Sequence, residues 1–350
     1  MLLVALTAGA TASPAADSSA DYRWTLPRGF PTPAVPADNP MSAAKVALGR
    51  RLFFETRLSV TGAYSCASCH DPARAFTDGR ALALGATGQP TANGAMSLAN
   101  VAYNVSFGWS KPNVRSLEAQ MLEPMGNEHP VEMGVGGRED EVATLLTADP
   151  AYRAGFAQAF PESGGHATSD LTVKAIAAFE RTLISGGSPF DRYVFQGQHD
   201  ALTDDAKHGM ALFYSARLGC SACHSGFNFA GNWRDAQGAT GEPSFANDGT
   251  TPAGATLRIP TLRNIALTAP YMHDGRFSTL AAVIAHYQQA GARANGAPAP
   301  KPADKKEPRL RPFVLDPDER AALIAFLNSL TDPEFVAGFE GERTYPVSGR

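Results

Sequence analysis

The sequence predicts a mainly α-helical protein made of two tandem units of one kind, and three observations carry that expectation. The first is a duplicated motif. Cys66-Ala67-Ser68-Cys69-His70 returns as Cys220-Ser221-Ala222-Cys223-His224, and the two copies use all four cysteines of the chain. The second is that each copy follows a helical segment with the same ending, Gly49-Arg50-Arg51-Leu52-Phe53 in one half and Gly209-Met210-Ala211-Leu212-Phe213 in the other. The third is a pair of apolar helices that close the halves, Ala175 to Leu183 and Ala322 to Leu330. C-x-x-C-H is the attachment signature of c-type haem: both thiols add to porphyrin vinyl groups and the adjacent histidine reaches the iron. Disulfides or a cysteine-based zinc site are the alternatives, but neither accounts for a histidine directly after each pair. The expected fold is therefore mainly α, two tandem cytochrome c-type haem domains, with two covalently bound c-type haems as cofactors.

Composition narrows the class further. A chain of 350 residues suits two domains that each bury a core. Apolar residues at 44% with charged residues at 18% describe a globular protein, and a net charge of −4 gives no case for nucleic acid or an anionic membrane surface. Attachment of haem to thiols takes place outside the bacterial cytoplasm, so an export signal is expected. Residues 1–16 read as one, with Leu2-Leu3-Val4-Ala5-Leu6 as the apolar core and Ala10-Thr11-Ala12 as small-residue steps, although the usual basic start is missing. That run is too short to span a bilayer, so no membrane insertion is expected and the location read is the periplasm.

In chain order, residues 17–40 are rich in Pro, Ala and Asp and predict an extended arm. The first domain is set at 41–200. Its first helix starts near Ser42, a helix-capping type, and runs through Val46, Leu48, Leu52 and Phe53. The boundary is expected within Gly187 to Asp204, where Gly-Gly-Ser-Pro interrupts the helical pattern. The second domain is set at 201–335 and a tail at 336–350. Asp235 to Ala255 and Ala290 to Pro312 read as surface loops, the latter as a solvated linker rather than a basic contact patch. After Phe277, Ser278 can cap a helix that places Leu280, Val283, Ile284 and Tyr287 on one face. Periodicity alone makes Tyr287 an ordinary core aromatic, and Met272 is the obvious thioether competitor for a second iron ligand.

The run Pro260-Thr261-Leu262-Arg263-Asn264-Ile265-Ala266-Leu267-Thr268-Ala269-Pro270-Tyr271-Met272-His273-Asp274-Gly275 resembles the signature of the bacterial di-haem cytochrome c peroxidase superfamily, which includes MauG. The likeness spans roughly Pro27 to Asp332. In the peroxidases a methionine ligates the electron-transfer haem at the place held here by Tyr287, whereas MauG and the related MbnH carry tyrosine there. Met272 matches no ligand position of the family. The resemblance thus implies His70 as ligand of the first iron, and His224 with Tyr287 as ligands of the second. The displaceable histidine that peroxidases carry after the first motif has no counterpart in Asp71 to Asn93, which implies a first iron open to hydrogen peroxide.

Leu117-Glu118-Ala119-Gln120, Pro124 and Pro130-Val131-Glu132-Met133-Gly134 resemble the distal segment of the superfamily. By that likeness Glu132 is the acid–base group, with Glu128 a rival because this loop is longer than usual, and Gln120 and Pro124 are distal-pocket residues. Trp109 matches the residue between the haems that can relay a hole. The superfamily also holds a calcium ion there. Thr268 and Pro270 match its carbonyl ligands, while Gly94 stands where the asparagine ligand belongs, with Asn93 just before it. Asn39-Pro40-Met41-Ser42, Met96-Ser97-Leu98-Ala99-Asn100 and Asn127-Glu128-His129-Pro130 are most like MbnH and its relatives, which convert a tryptophan of a partner protein, MbnP, to kynurenine. The exit-path tryptophan of MauG is Leu218 here, which weighs against a MauG-type partner. The implied function is a periplasmic oxidoreductase that uses hydrogen peroxide to form a shared high-valent iron state and oxidises a partner tryptophan. The alternatives are a cytochrome c peroxidase fed by a small redox protein, and a plain electron carrier with both irons six-coordinate.

Overall fold

A computed structural model describes residues 22–251, 255–290, 307 and 309–339. The leader assigned to 1–16, most of the Ala290–Pro312 loop and most of the 336–350 tail lie outside them. Among the described residues the helices are α1 (Ala43–Phe53), α2 (Cys66–Cys69), α3 (Leu117–Gly126), α4 (Glu139–Ala148), α5 (Pro150–Ala159), α6 (Ser169–Glu180), α7 (Pro189–Gln196), α8 (Asp204–Phe213), α9 (Leu280–Gln288), α10 (Pro317–Asn328) and α11 (Pro333–Ala337). The strands are two antiparallel pairs: β1 (Arg234–Asp235) with β2 (Gly238–Ala239), and β3 (Phe245–Ala246) with β4 (Leu257–Arg258). The architecture is mainly helical, as the sequence predicts.

Local chemistry starts the principal helices. The Ser42 side chain accepts from the Lys45 amide at the head of α1. Thr203 does the same for Ala206 at α8, and Asp316 and Glu319 form a reciprocal box at α10 with Pro317 at the first turn. Each half is then built on one close crossing, α1 on α6 and α8 on α10. The glycine repeated in the sequence sits at the crossing. A Cβ on Gly49 would meet the Ala175 carbonyl oxygen at 1.9 Å, and one on Gly209 would meet that of Ala322 at the same distance. Backbone cannot yield as a side chain can, so Gly209→Ala is expected to cost about 2–3 kcal/mol or more of stability. Chemical denaturation of the holoprotein followed by circular dichroism measures it; an unchanged midpoint would contradict the crossing.

The duplication extends to individual hydrogen bonds. Asn100 and Asn264 both take left-handed φ, 57° and 60°, and each opens a 3-10 turn. Their amides donate to the carbonyls of Leu183 and Leu330, just past the two closing helices, at 2.8 and 3.0 Å. The Asn100 side chain accepts from the Ser185 amide at 2.8 Å, and that of Asn264 from the Asp332 amide at 2.8 Å. Two cores result. One gathers residues from Leu48 to Leu183 together with Phe335, and the other gathers Phe190 to Leu330. The halves are tied by Asp332, which accepts from the amides of Gly186 and Gly187 at 2.9 and 2.7 Å.

Three expectations need correction. The closing helices end at Glu180 and Asn328 rather than Leu183 and Leu330, because the Leu183 and Leu330 carbonyls are recruited by Asn100 and Asn264 and the chain tightens into i→i+3 bonds after each helix. The cap of α9 is Thr279, not Ser278; Thr279 is extended and its hydroxyl accepts from the Ala282 amide. Asp235 to Ala255 is more than a surface loop. It carries β2, β3 and buried Asn247 and Thr250, and it walls a cavity described below. Over its described part, from residue 22, the arm contains no helix. It is packed down nonetheless: Phe30 lies against Tyr103 and Phe227, and the Tyr103 hydroxyl donates to the Pro31 carbonyl.

Candidate active site

Both Cys-x-x-Cys-His motifs are presented in the same way. The imidazole Nδ1 of His70 lies 2.9 Å from the Phe76 carbonyl, and Nδ1 of His224 lies 2.9 Å from that of Phe229. A carbonyl only accepts, so Nδ1 carries the proton in each and Nε2 keeps its lone pair for a metal. Phe76 and Phe229 both have positive φ, 63° and 52°, which turns their carbonyls back toward the ring. Burial holds both imidazoles below the usual histidine range, in the neutral form that ligation needs. All four thiols are free, which removes the disulfide alternative, and no group of three or more His, Cys, Asp or Glu among the described residues is arranged for a metal ion such as zinc. Burial pushes Cys69 up to about 12 and Cys220 up to about 11, so both are protonated thiols before any attachment.

The second motif opens onto an apolar cavity of about 220 Å³ lined by Cys220, Cys223, His224, Ile284, Leu327 and Tyr287. α9 therefore directs Tyr287 into the space faced by His224. No hydrogen bond forms at its hydroxyl among the described residues, and its ring neighbour is His286 at 5.3 Å. Burial, helped by Asp248 and the two thiols, pushes the phenol well above its usual range. A phenol aimed into an apolar cavity, with no hydrogen-bond partner among the described residues, fits a haem whose iron would take its oxygen. Met272 also lines this cavity, at the seam it shares with a smaller one between the halves.

Trp109 stands at that seam. It lines both cavities, and its indole N–H donates to the Gly94 carbonyl at 2.8 Å. The Gly94 amide in turn donates to the His273 carbonyl at 2.8 Å, so one contact chain crosses from half to half. The smaller cavity, about 90 Å³, is lined by Gly94, Thr268 and Pro270 among others. Asn93 does not line it, and its carbonyl is already engaged by Ala83 and Thr91.

Gln120 and Pro124 lie one turn apart on α3, on a half-exposed side flanked by buried Leu117, Met121 and Met125. Proline has no N–H, so the Gln120 carbonyl lacks its helical partner. Glu132 is held by its backbone and its tip. Its carbonyl accepts from the Ala86 amide at 2.6 Å and its carboxylate from Asn127 Nδ2 at 2.7 Å. The approach is close because residue 85 is glycine, where a Cβ would meet the Val131 oxygen at 1.9 Å. Cys69 donates to the neighbouring Leu84 carbonyl at 3.5 Å, and the Glu132 charge helps raise that thiol. The structure thus brings Glu132 to the first motif, while Glu128 is exposed in the turn before it.

Sequence reasoning missed Arg258, a buried arginine that lines both cavities. It also missed the Arg263–Asp191 pair, wholly buried at 2.8–2.9 Å, which fixes the Pro260–Gly275 run against α7. The only available signal was that Arg263 falls within that run.

A duplicated helical fold with a Cys-x-x-Cys-His site in each half defines the class, a two-domain protein of the cytochrome c type. Residues 43–200 match the family described as di-haem cytochrome c peroxidase. The methylamine utilization protein MauG of Methylorubrum extorquens is 35% identical, over 93% of this chain and 88% of that protein. The cytochrome-c peroxidase IdrP1 of Denitromonas iodatirespirans is 34% identical, over 95% and 93%. The crystal structure of a MauG-like protein associated with microbial copper homeostasis superposes with a TM-score of 0.86 at 36% identity, covering 93% of this chain and 99% of that one. The chain belongs to the di-haem cytochrome c peroxidase and MauG family of haem-dependent oxidoreductases.

Proposed function

We propose that the protein is an exported, periplasmic enzyme that uses hydrogen peroxide to oxidise a tryptophan of an MbnP-like partner protein. The observation that carries this reading is Tyr287, an oxygen donor without a hydrogen-bond partner among the described residues, in the cavity faced by His224. Haems attached at Cys66 and Cys69 and at Cys220 and Cys223 would supply the redox chemistry when bound. His70 and His224 offer Nε2 to the irons. Tyr287 must release its proton to bind ferric iron, and an anionic oxygen favours the more oxidised metal. That suits holding an oxidising equivalent better than accepting electrons from a donor. Glu132 takes a proton from one oxygen of hydrogen peroxide and returns it to the other. Gln120 and Pro124 border the same approach, and Trp109 passes oxidising equivalents across the seam. Support for calcium is narrower: Thr268 and Pro270 line the cavity between the halves and Asn93 does not. No helix of the described residues is long and apolar enough to cross a membrane.

The test is to add hydrogen peroxide to the diferric protein and record Mössbauer and EPR spectra. An oxidised state shared by both irons that outlives mixing is the expected result. Candidate partners from a copper-homeostasis setting, as for the similar solved structure, would then show an oxidised tryptophan by mass spectrometry. Rapid turnover of a small reduced cytochrome, matched to peroxide loss and leaving partners unmodified, would support the peroxidase reading. A ferric spectrum without a high-spin component would leave only an electron carrier.

A further inference from the structure

We infer that Arg258 is the anchor for a propionate of the haem tethered to Cys220 and Cys223, and so a positioning residue that sets that haem's potential. Two arginines are buried within six positions of each other, and they are satisfied in opposite ways. Arg263 is saturated: Asp191 takes one nitrogen through both carboxylate oxygens, and the Phe227 carbonyl takes the other two at 3.1 and 2.6 Å. Arg258, at 9% exposure, meets no carboxylate among the described residues. Among the described residues its Nε is buried with no partner, and one terminal nitrogen reaches the Met96 sulfur at 2.6 Å. A thioether is a weak acceptor, and an uncompensated buried guanidinium is strongly destabilising. Burial alone drives its pKa down to about 10, still well above neutrality, so the side chain remains a cation.

Such a charge calls for an anion that arrives with a ligand. Arg258 stands where one would come. It lines the cavity that contains Cys220, His224 and Tyr287, and its amide donates to the Trp109 carbonyl at 2.7 Å, which pins β4 to the seam. Haem carries two propionates, and the planar fork of arginine pairs with a carboxylate through two parallel bonds. A fixed cation beside a propionate disfavours loss of an electron from the iron. Arg258 then opposes the pull of the Tyr287 oxygen and keeps the second haem reducible.

This inference rests on the reading that haem is attached at the second motif. The test uses the holoprotein with its haem content checked by pyridine haemochrome, and spectroelectrochemical titration as the readout. In Arg258→Gln the reduced-to-oxidised ratio of the second haem at fixed potential should fall about tenfold, equivalent to about 59 mV for one electron. Arg258→Lys, which keeps the charge and loses the fork, should stay within about threefold of the parent. If Arg258→Gln does not accumulate, resonance Raman of Arg258→Lys decides: the propionate bending band of the second haem should shift. An unmoved potential in Arg258→Gln, a larger change at the first haem, or an unshifted band in Arg258→Lys overturns the assignment. With two haems present, any of these rejects the anchor alone; a chain carrying no haem at Cys220 and Cys223 rejects the reading beneath it.

Discussion

Glu132→Gln should slow the reaction of the diferric protein with hydrogen peroxide by roughly 100- to 10,000-fold, the range that a positioned proton-transfer group contributes. The substitution isolates proton transfer because little else changes. Glutamine is nearly the same size, its carbonyl oxygen can still accept from Asn127 Nδ2, and the backbone bond from Ala86 to residue 132 is untouched. Stopped-flow absorption in the Soret region gives the second-order rate constant, with haem content and reduction potentials as controls. Glu128→Gln supplies the internal comparison. Glu128 is exposed in the turn, so its loss should change the rate less than about threefold. A large loss in Glu128→Gln with a small one in Glu132→Gln would transfer the role to the rival carboxylate.

What the sequence made legible was whatever is written in local pattern. The two motifs, the capped helices and the apolar closing helices are set by residues within a few positions of one another. The duplicated Gly-x-x-Leu-Phe ending was visible as a repeat, but its reason was not. The need for Gly49 and Gly209 comes from carbonyls more than a hundred positions away, at Ala175 and Ala322. Ser278 and Thr279 are both competent caps, and only the backbone direction entering α9 chooses between them. Arg258 reads as one charge in a short extended run, the usual look of a solvated edge. Its burial depends on the other half closing over it through Trp109 and Met96, which no local pattern encodes. The stretch from Asp235 to Ala255 looked like a loop because its composition is that of one. Yet such a segment can wall a cavity when its polar groups are met within it, as Asn247 meets Gly249 and Ala255.

Tyr287→Met should raise the reduction potential of the second haem by a few hundred mV, within the roughly 0.8 V that axial ligands command, and should remove any long-lived oxidised state formed with peroxide. Shape is not the obstacle, since an unbranched, flexible methionine fills irregular apolar space readily, and residue 287 lies among Ile284, Leu327 and the motif side chains. What changes is the donor. Burial and the negative groups around it raise the phenol's pKa, so ferric iron must displace its proton on binding, and the bond that forms favours the oxidised iron. A thioether has no charge to contribute and favours the reduced iron instead. The variant should therefore gain the ability to take electrons from a small redox protein while losing the ability to hold an equivalent for a distant tryptophan. Tyr287→Phe separates ligation from packing: it keeps the ring, removes the oxygen, and should leave the second iron high-spin in the ferric spectrum. Met272→Leu is the matching probe of the competitor at the seam, and it should leave both the spectrum and the potential of the second haem in place. If Met272→Leu shifts them while Tyr287→Phe does not, the phenol is a core aromatic after all, and the protein is built to receive electrons rather than to hold oxidising power.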